Sequence, residues 1–130
     1  MRGFVFDAGA FIALERRMPL MLGILDEALH GTVEVVLPRT VIAQVWRGSP
    51  RQSNVGRLIS AGRKRGGPVI IDELTDERAK EIGVTVGRVS HPDIVDVHVA
   101  VAAAERGHVV LTSDDADIAG VNPGLVLVHV

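Results

Sequence analysis

The sequence predicts one α/β domain in three layers, α/β/α, with a mostly parallel sheet of about five strands. Short apolar runs alternate with segments of helical length along all 130 residues. Strands that are separated by helices are typical of a parallel sheet, because a parallel crossover needs a dozen or more residues. A hydrophobic content of 47% is sufficient for a single core in a chain of this length. We therefore expect residues 1–130 to form a single domain.

The composition excludes several classes of protein. Because the chain has no cysteine, disulfides, thiolate catalysis and cysteine-ligated zinc are all excluded. No apolar stretch approaches the roughly 18 residues of a membrane-spanning helix. The opening MRGFVFD reaches an aspartate too early to be a signal peptide. We therefore expect a cytoplasmic protein that does not associate with membranes.

Charge is divided unevenly along the chain. Residues 1–65 contain ten Lys and Arg against five Asp and Glu, whereas residues 66–130 contain four against eleven. A basic half is suited to a polyanion, and an acidic half to a cation or a basic partner. Ordinary scatter of charge over a surface would explain the same counts, and composition alone does not separate the two.

The predicted elements of the first half follow from apolar runs and from the residues that end them. The first apolar run stops at Asp7, and Gly31 is suited to end an amphipathic second helix. Gly66, Gly67 and Pro68 end the fourth helix. The expected elements are a strand at 4–6, helices at 11–14 and 19–30, a strand at 33–37, and helices at 39–47 and 54–65.

The second half continues the alternation. Thr75 is expected to cap the fifth helix, Pro92 to occupy the first position of the sixth, and Gly107 to end it. The expected elements are a strand at 69–71, helices at 75–86 and 93–105, and strands at 109–112 and 125–130.

Four aspartates lie where these elements begin or end. Asp7 follows the first strand and Asp114 the fourth, so both are expected at the edge where parallel strands end and ligands bind. Asp93 and Asp96 are three residues apart and share a face of a helical first turn. Three separate segments are therefore expected to bring carboxylates to one edge of the sheet.

Each aspartate also has a simpler explanation. Asp93 and Asp96 would complement a helix dipole, and Asp114 would suit a turn or a helix cap. Together, and without a nearby lysine, the carboxylates would repel one another unless they were protonated or neutralised by a cation. Oxygen ligands favour Mg²⁺ or Mn²⁺ over zinc. The histidines are scattered and lack the spacing of a metal motif.

Three motifs, in this order, cover nearly the whole chain. They are the opening apolar run that ends at Asp7, the segment LPRTVIAQVWRG that ends at Gly48, and a helix-to-strand unit that runs from Asp96-Val97-His98-Val99-Ala100 through Gly107 to Thr112-Ser113-Asp114. In these motifs the chain resembles the PIN-domain ribonucleases, and in size and layout the VapC-type toxins of toxin–antitoxin systems.

This resemblance implies an Mg²⁺-dependent endoribonuclease, with Mn²⁺ as a possible substitute, that cleaves RNA by means of a metal-activated water. It implies Asp7, Asp96 and Asp114 as metal ligands, with Asp117 and Asp93 as further acids. Thr112 falls on the family's hydroxyl position, where it would orient a ligand or water. The implied partners are an RNA substrate, a VapB-like antitoxin and a second copy of the chain.

One position departs from the family pattern. PIN nucleases carry a glutamate on the third helix, and the matching residue is Gln44. An amide offers a carbonyl oxygen but no negative charge, so metal affinity should fall. The site could be naturally weakened, compensated by Asp93 or Asp117, or inactivated by engineering. The alternative function is therefore a non-catalytic PIN module that binds RNA or an antitoxin.

Basic side chains in the first half are candidates for phosphate contacts, although a solvated helix face explains each of them equally well. They are Arg39, Arg47, Arg51, Arg57, Arg63, Lys64 and Arg65. Two other classes with aspartates at a sheet edge fit poorly. A haloacid dehalogenase phosphatase needs an acid where Gly9 stands, and a receiver domain needs a late lysine, but no lysine follows Lys80.

Overall fold

Five parallel strands form one sheet in the computed structural model, which describes residues 2–130. Their order across the sheet is β3-β2-β1-β4-β5. The strands are β1 (Gly3–Phe6), β2 (Glu34–Pro38), β3 (Val69–Asp72), β4 (Val109–Thr112) and β5 (Leu127–His129). The predicted fold class, a largely parallel sheet of about five strands between helices, is confirmed.

Seven α-helices connect the strands within the described residues. They are α1 (Ala8–Glu15), α2 (Pro19–Leu29), α3 (Arg39–Val45), α4 (Ser53–Ala61), α5 (Asp76–Val89), α6 (Ile94–Arg106) and α7 (Asp115–Val121). A 3₁₀ turn, Pro50–Gln52, precedes α4. None of the helices in the described part of the chain is long and apolar enough to cross a membrane.

The sheet is covered on both faces. Right-handed crossovers place α1, α2 and α4 on one face and α6 with α7 on the other, because the chain reverses direction across the sheet after β3. Helix α6 packs on β1, β2 and β4, and α5 and α7 pack against α6. Val5, Val36 and Val110 on the central strands are fully buried, which explains why these strands are continuous apolar runs.

Helix α3 differs from the other helices because it contacts both layers. It packs against α1 on one side and α6 on the other. Since α3 begins directly after β2 ends, it lies at the edge of the sheet formed by the carboxyl ends of the strands. This edge is where the aspartates were expected.

All the expected strands and helices are present, but several boundaries differ. Helix α1 begins at Ala8 and not at residue 11, α5 extends to Val89, and β5 is confined to Leu127–His129.

The ends of the other helices show why some expectations held and others did not. Thr75 caps α5 by accepting a hydrogen bond from the backbone of Arg78 at 3.0 Å. The expected position of Pro92 is wrong, because Asp93 is the cap of α6 and Pro92 precedes it. Helix α4 ends at Ala61 rather than near residue 65. Helix α7 was not expected, since it is short and buries only Ile118 and Val121.

Gly9 allows α1 to approach the turn that follows β4. A Cβ atom on Gly9 would contact the side chain of Ser113 and lie 2.8 Å from its backbone nitrogen. Because the backbone cannot rotate aside as a side chain can, the two segments would have to separate. Gly23 on α2 has nothing within 4 Å of the same position.

We therefore expect Gly9→Ala to lower the free energy of unfolding by about 1–3 kcal/mol, as overpacked substitutions do. Gly23→Ala is the matched control, and should raise it by about 0.5–1 kcal/mol because alanine favours the helix. Urea unfolding of both variants measures the difference. Equal effects of the two substitutions would contradict the close approach at Gly9.

Candidate active site

The centre of the candidate site is a hydrogen-bonded link between β1 and β4. Thr112, the last residue of β4, donates its hydroxyl proton to Asp7 Oδ2 over 2.7 Å. The same hydroxyl accepts the backbone N–H of Asp114 at 2.9 Å. The backbone N–H of Asp7 donates to Leu111 O at 3.0 Å and so continues the strand pairing. Thr112 therefore connects two of the predicted ligand positions, and both it and Asp7 are buried.

Helix α6 brings the third acid to this edge. Asp96 lies in the first turn of α6 and is 8% exposed. Its Oδ2 lies 3.0 Å from His91 Nε2, whose N–H is the natural donor to a carboxylate. Asp93 Oδ1 accepts the backbone N–H groups of Val95 at 2.9 Å and Asp96 at 3.4 Å. Asp93 therefore caps the helix, and its charge is added to the same edge.

Burial and mutual repulsion both raise the pKa values of Asp7 and Asp96. Burial raises the pKa of Asp7 above its usual range, and the negative charges of Asp114 and Asp93 raise it further. The hydrogen bond from Thr112 opposes this effect. Burial also raises the pKa of Asp96, against the hydrogen bond from His91.

The charges of Asp93 and Asp7 raise the pKa of Asp96 further. Four acids from three segments thus influence one another electrostatically. Within residues 2–130, none of the four forms an ion pair with a lysine or arginine; only Asp96 has a basic neighbour, His91.

Asp72, at the end of β3, provides a contrast within the same chain. Arg78 donates to both of its carboxylate oxygens, at 2.9 and 2.8 Å, and Arg106 lies 3.8 Å away. His98 Nε2 is 2.7 Å from Asp72 Oδ1. Although burial opposes them, the hydrogen bonds from His98 and Arg78 hold the pKa of Asp72 below its usual range. Within residues 2–130, one buried aspartate at this edge is therefore neutralised, and two others have no guanidinium or ammonium partner.

The remaining predicted residues are more peripheral. Gln44, on α3, is exposed and forms no side-chain hydrogen bond within the described residues. Asp114 and Asp117, at the start of α7, are also exposed. Asp115 lies between them and pairs with His129 at 2.7 Å, outside the group that surrounds Asp7.

No three His, Asp or Glu side chains in residues 2–130 are gathered closely enough to form a ready metal cage. Such a cage is not what magnesium requires. Mg²⁺ keeps several waters and is usually held by one or two carboxylates together with substrate phosphates. Two buried, mutually repelling carboxylates provide oxygen ligands that fit that chemistry.

Two features of this edge were not expected from the sequence. One is the contact of His91 with Asp96, which depends on how the loop before α6 folds back. The other is a hydrogen-bonded chain of Thr40, His98 and Asp72. A signal for Asp72 was present, because it follows an apolar strand in the same way as Asp7 follows β1.

The strand order and the helices on both faces of the sheet are those of an α/β protein with a PIN-like fold. No protein-family model matches the chain, and no curated protein matches it in sequence. Solved structures do match. The crystal structure of VapBC2 from Rickettsia felis, bound to a DNA fragment from their promoter, contains a chain with a TM-score of 0.65 and 12% identity, and the match covers 98% of both chains.

Two further structures have the same fold. PAE2754 from Pyrobaculum aerophilum has a TM-score of 0.59 and 15% identity, over 97% of this chain and 89% of that one. FitAcB from Neisseria gonorrhoeae has a TM-score of 0.51 and 16% identity, over 95% of each chain. The predicted resemblance to PIN-domain toxins is thus confirmed at the level of the fold.

The contrast between Asp7 and Asp72 predicts opposite effects of the same substitution. Without metal, Asp7→Asn should raise Tm, since it removes a repelled buried charge and still lets the side chain accept from Thr112. A gain of about 1 kcal/mol would correspond to roughly 3–6 °C. Asp72→Asn should lower Tm because Arg78, which is largely buried, loses the one buried carboxylate among its partners and keeps only Glu81 and Glu105, which are exposed. Calorimetry in EDTA measures both changes, and a fall in Tm for both variants would contradict the electrostatic contrast.

The opposite pKa shifts of Asp7 and Asp72 also predict how stability changes with pH. A carboxyl group whose pKa is raised on folding binds its proton more tightly in the folded state, so it destabilises the fold as pH rises through and above the unfolded value of about 4. Asp72, with its lowered pKa, acts in the opposite sense, and its contribution is lost as pH falls. The Asp7 carboxyl group should therefore lower the Tm of the wild type as pH rises above about 4. Asp7→Asn should make this fall in Tm smaller, and a fall of the same size in both proteins would argue against a raised pKa of Asp7.

Proposed function

We propose that the chain is an Mg²⁺- or Mn²⁺-dependent endoribonuclease that acts as the toxin of a type II toxin–antitoxin pair. The observation that carries this proposal is the pair Asp7 and Asp96. Both carboxyl groups are buried, both have a raised pKa, and neither has an arginine or lysine partner within residues 2–130. Such an arrangement is costly for stability alone, and a cation would relieve the repulsion.

In this proposal Asp7, Asp96 and Asp114 hold the cation, with Asp93 and Asp117 as further acids around it. Bound there, the ion would supply a water of lowered pKa and would neutralise charge that develops on the leaving oxygen of a phosphodiester.

The other residues of the site orient these ligands. Thr112 holds Oδ2 of Asp7 through a hydrogen bond of 2.7 Å. His91 holds Oδ2 of Asp96 in the same way. Such outer partners fix the orientation of a carboxylate ligand and favour its charged form.

Exposed basic side chains provide the counterpart for the RNA backbone. Arg39 is a weaker candidate for a phosphate contact, because its guanidinium group already donates two hydrogen bonds of 2.8 Å to Glu73. Arg51 lies 3.8 Å from Glu15. The others form no ion pair with a carboxylate within the described residues: Arg47, Arg57, Arg63, Lys64 and Arg65. Because an acidic site repels a polyanion until a cation is bound, contacts of this kind would hold the substrate.

A protein partner is proposed from the structural likeness. The similar structures include VapBC2 on a DNA fragment from their promoter and FitAB on the IR36 DNA fragment. We propose a VapB-like antitoxin and a homodimer for this chain, in the cytoplasm. Leu20 and Val128 are exposed apolar side chains that line one open groove, and a protein partner would cover them.

A second function, a non-catalytic PIN module that binds RNA or an antitoxin, is favoured by Gln44. The amide stands where the resemblance implies a glutamate, it is exposed, and no neighbouring side chain within residues 2–130 compensates by bonding to it. Loss of one negative ligand weakens the binding of a cation and removes a possible base for water. The two functions share the fold and the partner and differ only in whether RNA is cut.

An RNA cleavage assay with Mg²⁺ or Mn²⁺ separates the two functions. We expect wild-type cleavage to be lost on addition of EDTA and to fall at least about 100-fold in Asp96→Asn, as expected when a metal ligand is removed. Gln44→Glu should increase the rate at low metal concentration. Asp115→Asn is the matched control, because this aspartate pairs with His129, and its rate should stay within about twofold. If neither the wild type nor Gln44→Glu cuts RNA, the result supports the non-catalytic binding module.

Metal binding can be measured without catalysis. A ligand that binds only the folded state raises Tm according to its concentration relative to Kd. Titration with Mn²⁺ should therefore raise Tm of the wild type and leave Asp7→Asn almost unchanged, although the latter begins from a higher value in EDTA. An equal rise in Tm in both proteins would mean that Mn²⁺ binds at a site that does not include Asp7.

A further inference from the structure

The indole of Trp46 is an aromatic surface that the core does not use. Trp46 is the only tryptophan of the chain, and tyrosine is absent. The three phenylalanines are buried in the core, whereas Trp46 is 44% exposed. It directly follows α3, on the segment that leads to α4. A large flat ring is thus presented to solvent, where a ligand can cover it.

A buried glutamine fixes the backbone that carries this indole. Gln52 is 3% exposed, and its Oε1 accepts the backbone N–H groups of Arg47 at 2.9 Å and Gly48 at 3.1 Å. Its Nε2 donates to Val45 O at 2.9 Å. The residues on both sides of Trp46 are therefore held by one amide group. A loop that is ordered before the ligand arrives lowers the entropy cost of binding.

Helix α4 supports the ring. A Cβ atom on Gly56 would lie 3.6 Å from Cη2 of the Trp46 indole, and one on Gly48 would lie 3.9 Å from its Nε1. These are ordinary van der Waals distances, so the backbone at two glycines lies close to the ring with no side chain between them. Part of the indole thus rests on protein, and the exposed part remains open to a ligand.

The chain around the indole carries positive charge without negative charge. Residues 35–71 contain seven Lys and Arg and no Asp or Glu. Arg47 Nη1 donates to Trp46 O at 2.9 Å, which holds one guanidinium group next to the indole. Arg57 is one residue beyond the glycine that contacts the ring, and both arginines are exposed. Single-stranded nucleic acids bind to surfaces of this kind, because bases stack on aromatic rings and phosphates contact arginines.

Helix α1 connects this surface to the acidic site. It begins directly after Asp7 and ends at Glu15, whose Oε2 lies 3.4 Å from Nε2 of Gln52. The eight residues of α1 span about 12 Å. A stacked strand rises about 3.4 Å per nucleotide. A strand whose phosphodiester lies at Asp7 therefore reaches Trp46 after on the order of four nucleotides.

We propose that the indole of Trp46 stacks on an unpaired base of the bound RNA strand, with Arg47 and Arg57 on the neighbouring phosphates. This inference rests on the nucleic-acid substrate proposed above and adds a selection for single-stranded segments. A base within a duplex is stacked on its neighbours and cannot present its face to the indole. Because every base has a π-face, the contact tolerates different sequences.

The first experiment uses the fluorescence of Trp46, which reports on this surface alone because the chain has no other tryptophan and no tyrosine. The probes are a short RNA strand and the same strand paired with its complement, added with Mg²⁺ to Asp96→Asn so that cleavage does not interfere. We expect the single strand to quench the indole emission and the duplex to leave it unchanged. Binding of the single strand at constant emission, with binding measured by anisotropy of labelled RNA, would contradict the proposal.

The second experiment compares the affinity of Trp46 variants for the single strand, all in the Asp96→Asn background. Trp46→Leu should weaken binding roughly 5- to 100-fold, the effect of one stacked base. Trp46→Phe keeps a smaller ring and should lose less. Leu29→Ala is the matched control, because Leu29 is 40% exposed but lies on α2, and it should bind RNA as the parent protein does.

Strands that lack one base at a time separate stacking from a structural defect. At one position the missing base should weaken binding to the parent protein and have no effect on Trp46→Leu, because the ring and the base act as a pair. If Trp46→Leu instead weakens the binding of every strand by the same factor, the loss is structural and the proposal is wrong.

This surface and the nuclease can fail separately. If RNA is cut, and Trp46→Leu binds and cuts every strand as the wild type does, the stacking proposal is wrong and the nuclease remains. If no RNA is cut but binding depends on the ring, the stacking proposal is supported and the nuclease is not. If Trp46→Leu changes only the association of two copies in analytical ultracentrifugation, the indole is a protein contact and the stacking proposal is overturned.

Discussion

The pairing of β1 with β4 is the constraint on which the site depends. These strands are parallel neighbours at the point where the strand order reverses, so their carboxyl ends meet with a crevice beyond them. The hydrogen bond from Thr112 to Asp7 closes the pair at its last position. Because β1 is buried on both faces, its residues have no room to shift, and the position of Asp7 is fixed to within the tolerance of core packing.

The distribution of arginine decides which buried aspartates are structural. Asp72 receives Arg78 and Arg106, and its burial is compensated. Asp7 and Asp96 receive a hydroxyl and an imidazole, which orient a carboxylate without supplying a permanent charge. A fold selected for stability alone would gain from pairing or replacing them. The uncompensated pair is thus a cost to folding that a bound cation would remove.

Helix α6 links these two electrostatic environments. Asp96 lies near Asp7 and Asp93, and His98, two residues later, contacts Thr40 of α3 and Asp72 of β3. Residues two apart on a helix face in different directions, so one helical turn serves both groups. A shift of α6 would therefore disturb the acidic group and the contacts of His98 with Thr40 and Asp72 together.

Local sequence signals were sufficient for the layered fold and for the main acids. Apolar runs bounded by Gly107 or Asp7 correspond to real strands and helix ends, because burial on both faces and a left-handed backbone at glycine (φ 67° at Gly107) impose them locally. The resemblance in three motifs then identified the layered fold as PIN-like. The short helix α7 was missed because seven residues with two buried positions give hardly any periodicity.

The sequence by itself determined where aspartates follow strands and begin helices, and therefore which edge of the sheet is acidic. Only the tertiary structure decided which of them are neutralised. Asp7 meets a residue 105 positions away, and Thr40 meets one 58 positions away. No periodicity or spacing encodes such contacts, because they arise when crossovers bring distant segments to one edge. For that reason Asp7 and Asp72, which look alike after their strands, differ in the sign of their pKa shifts.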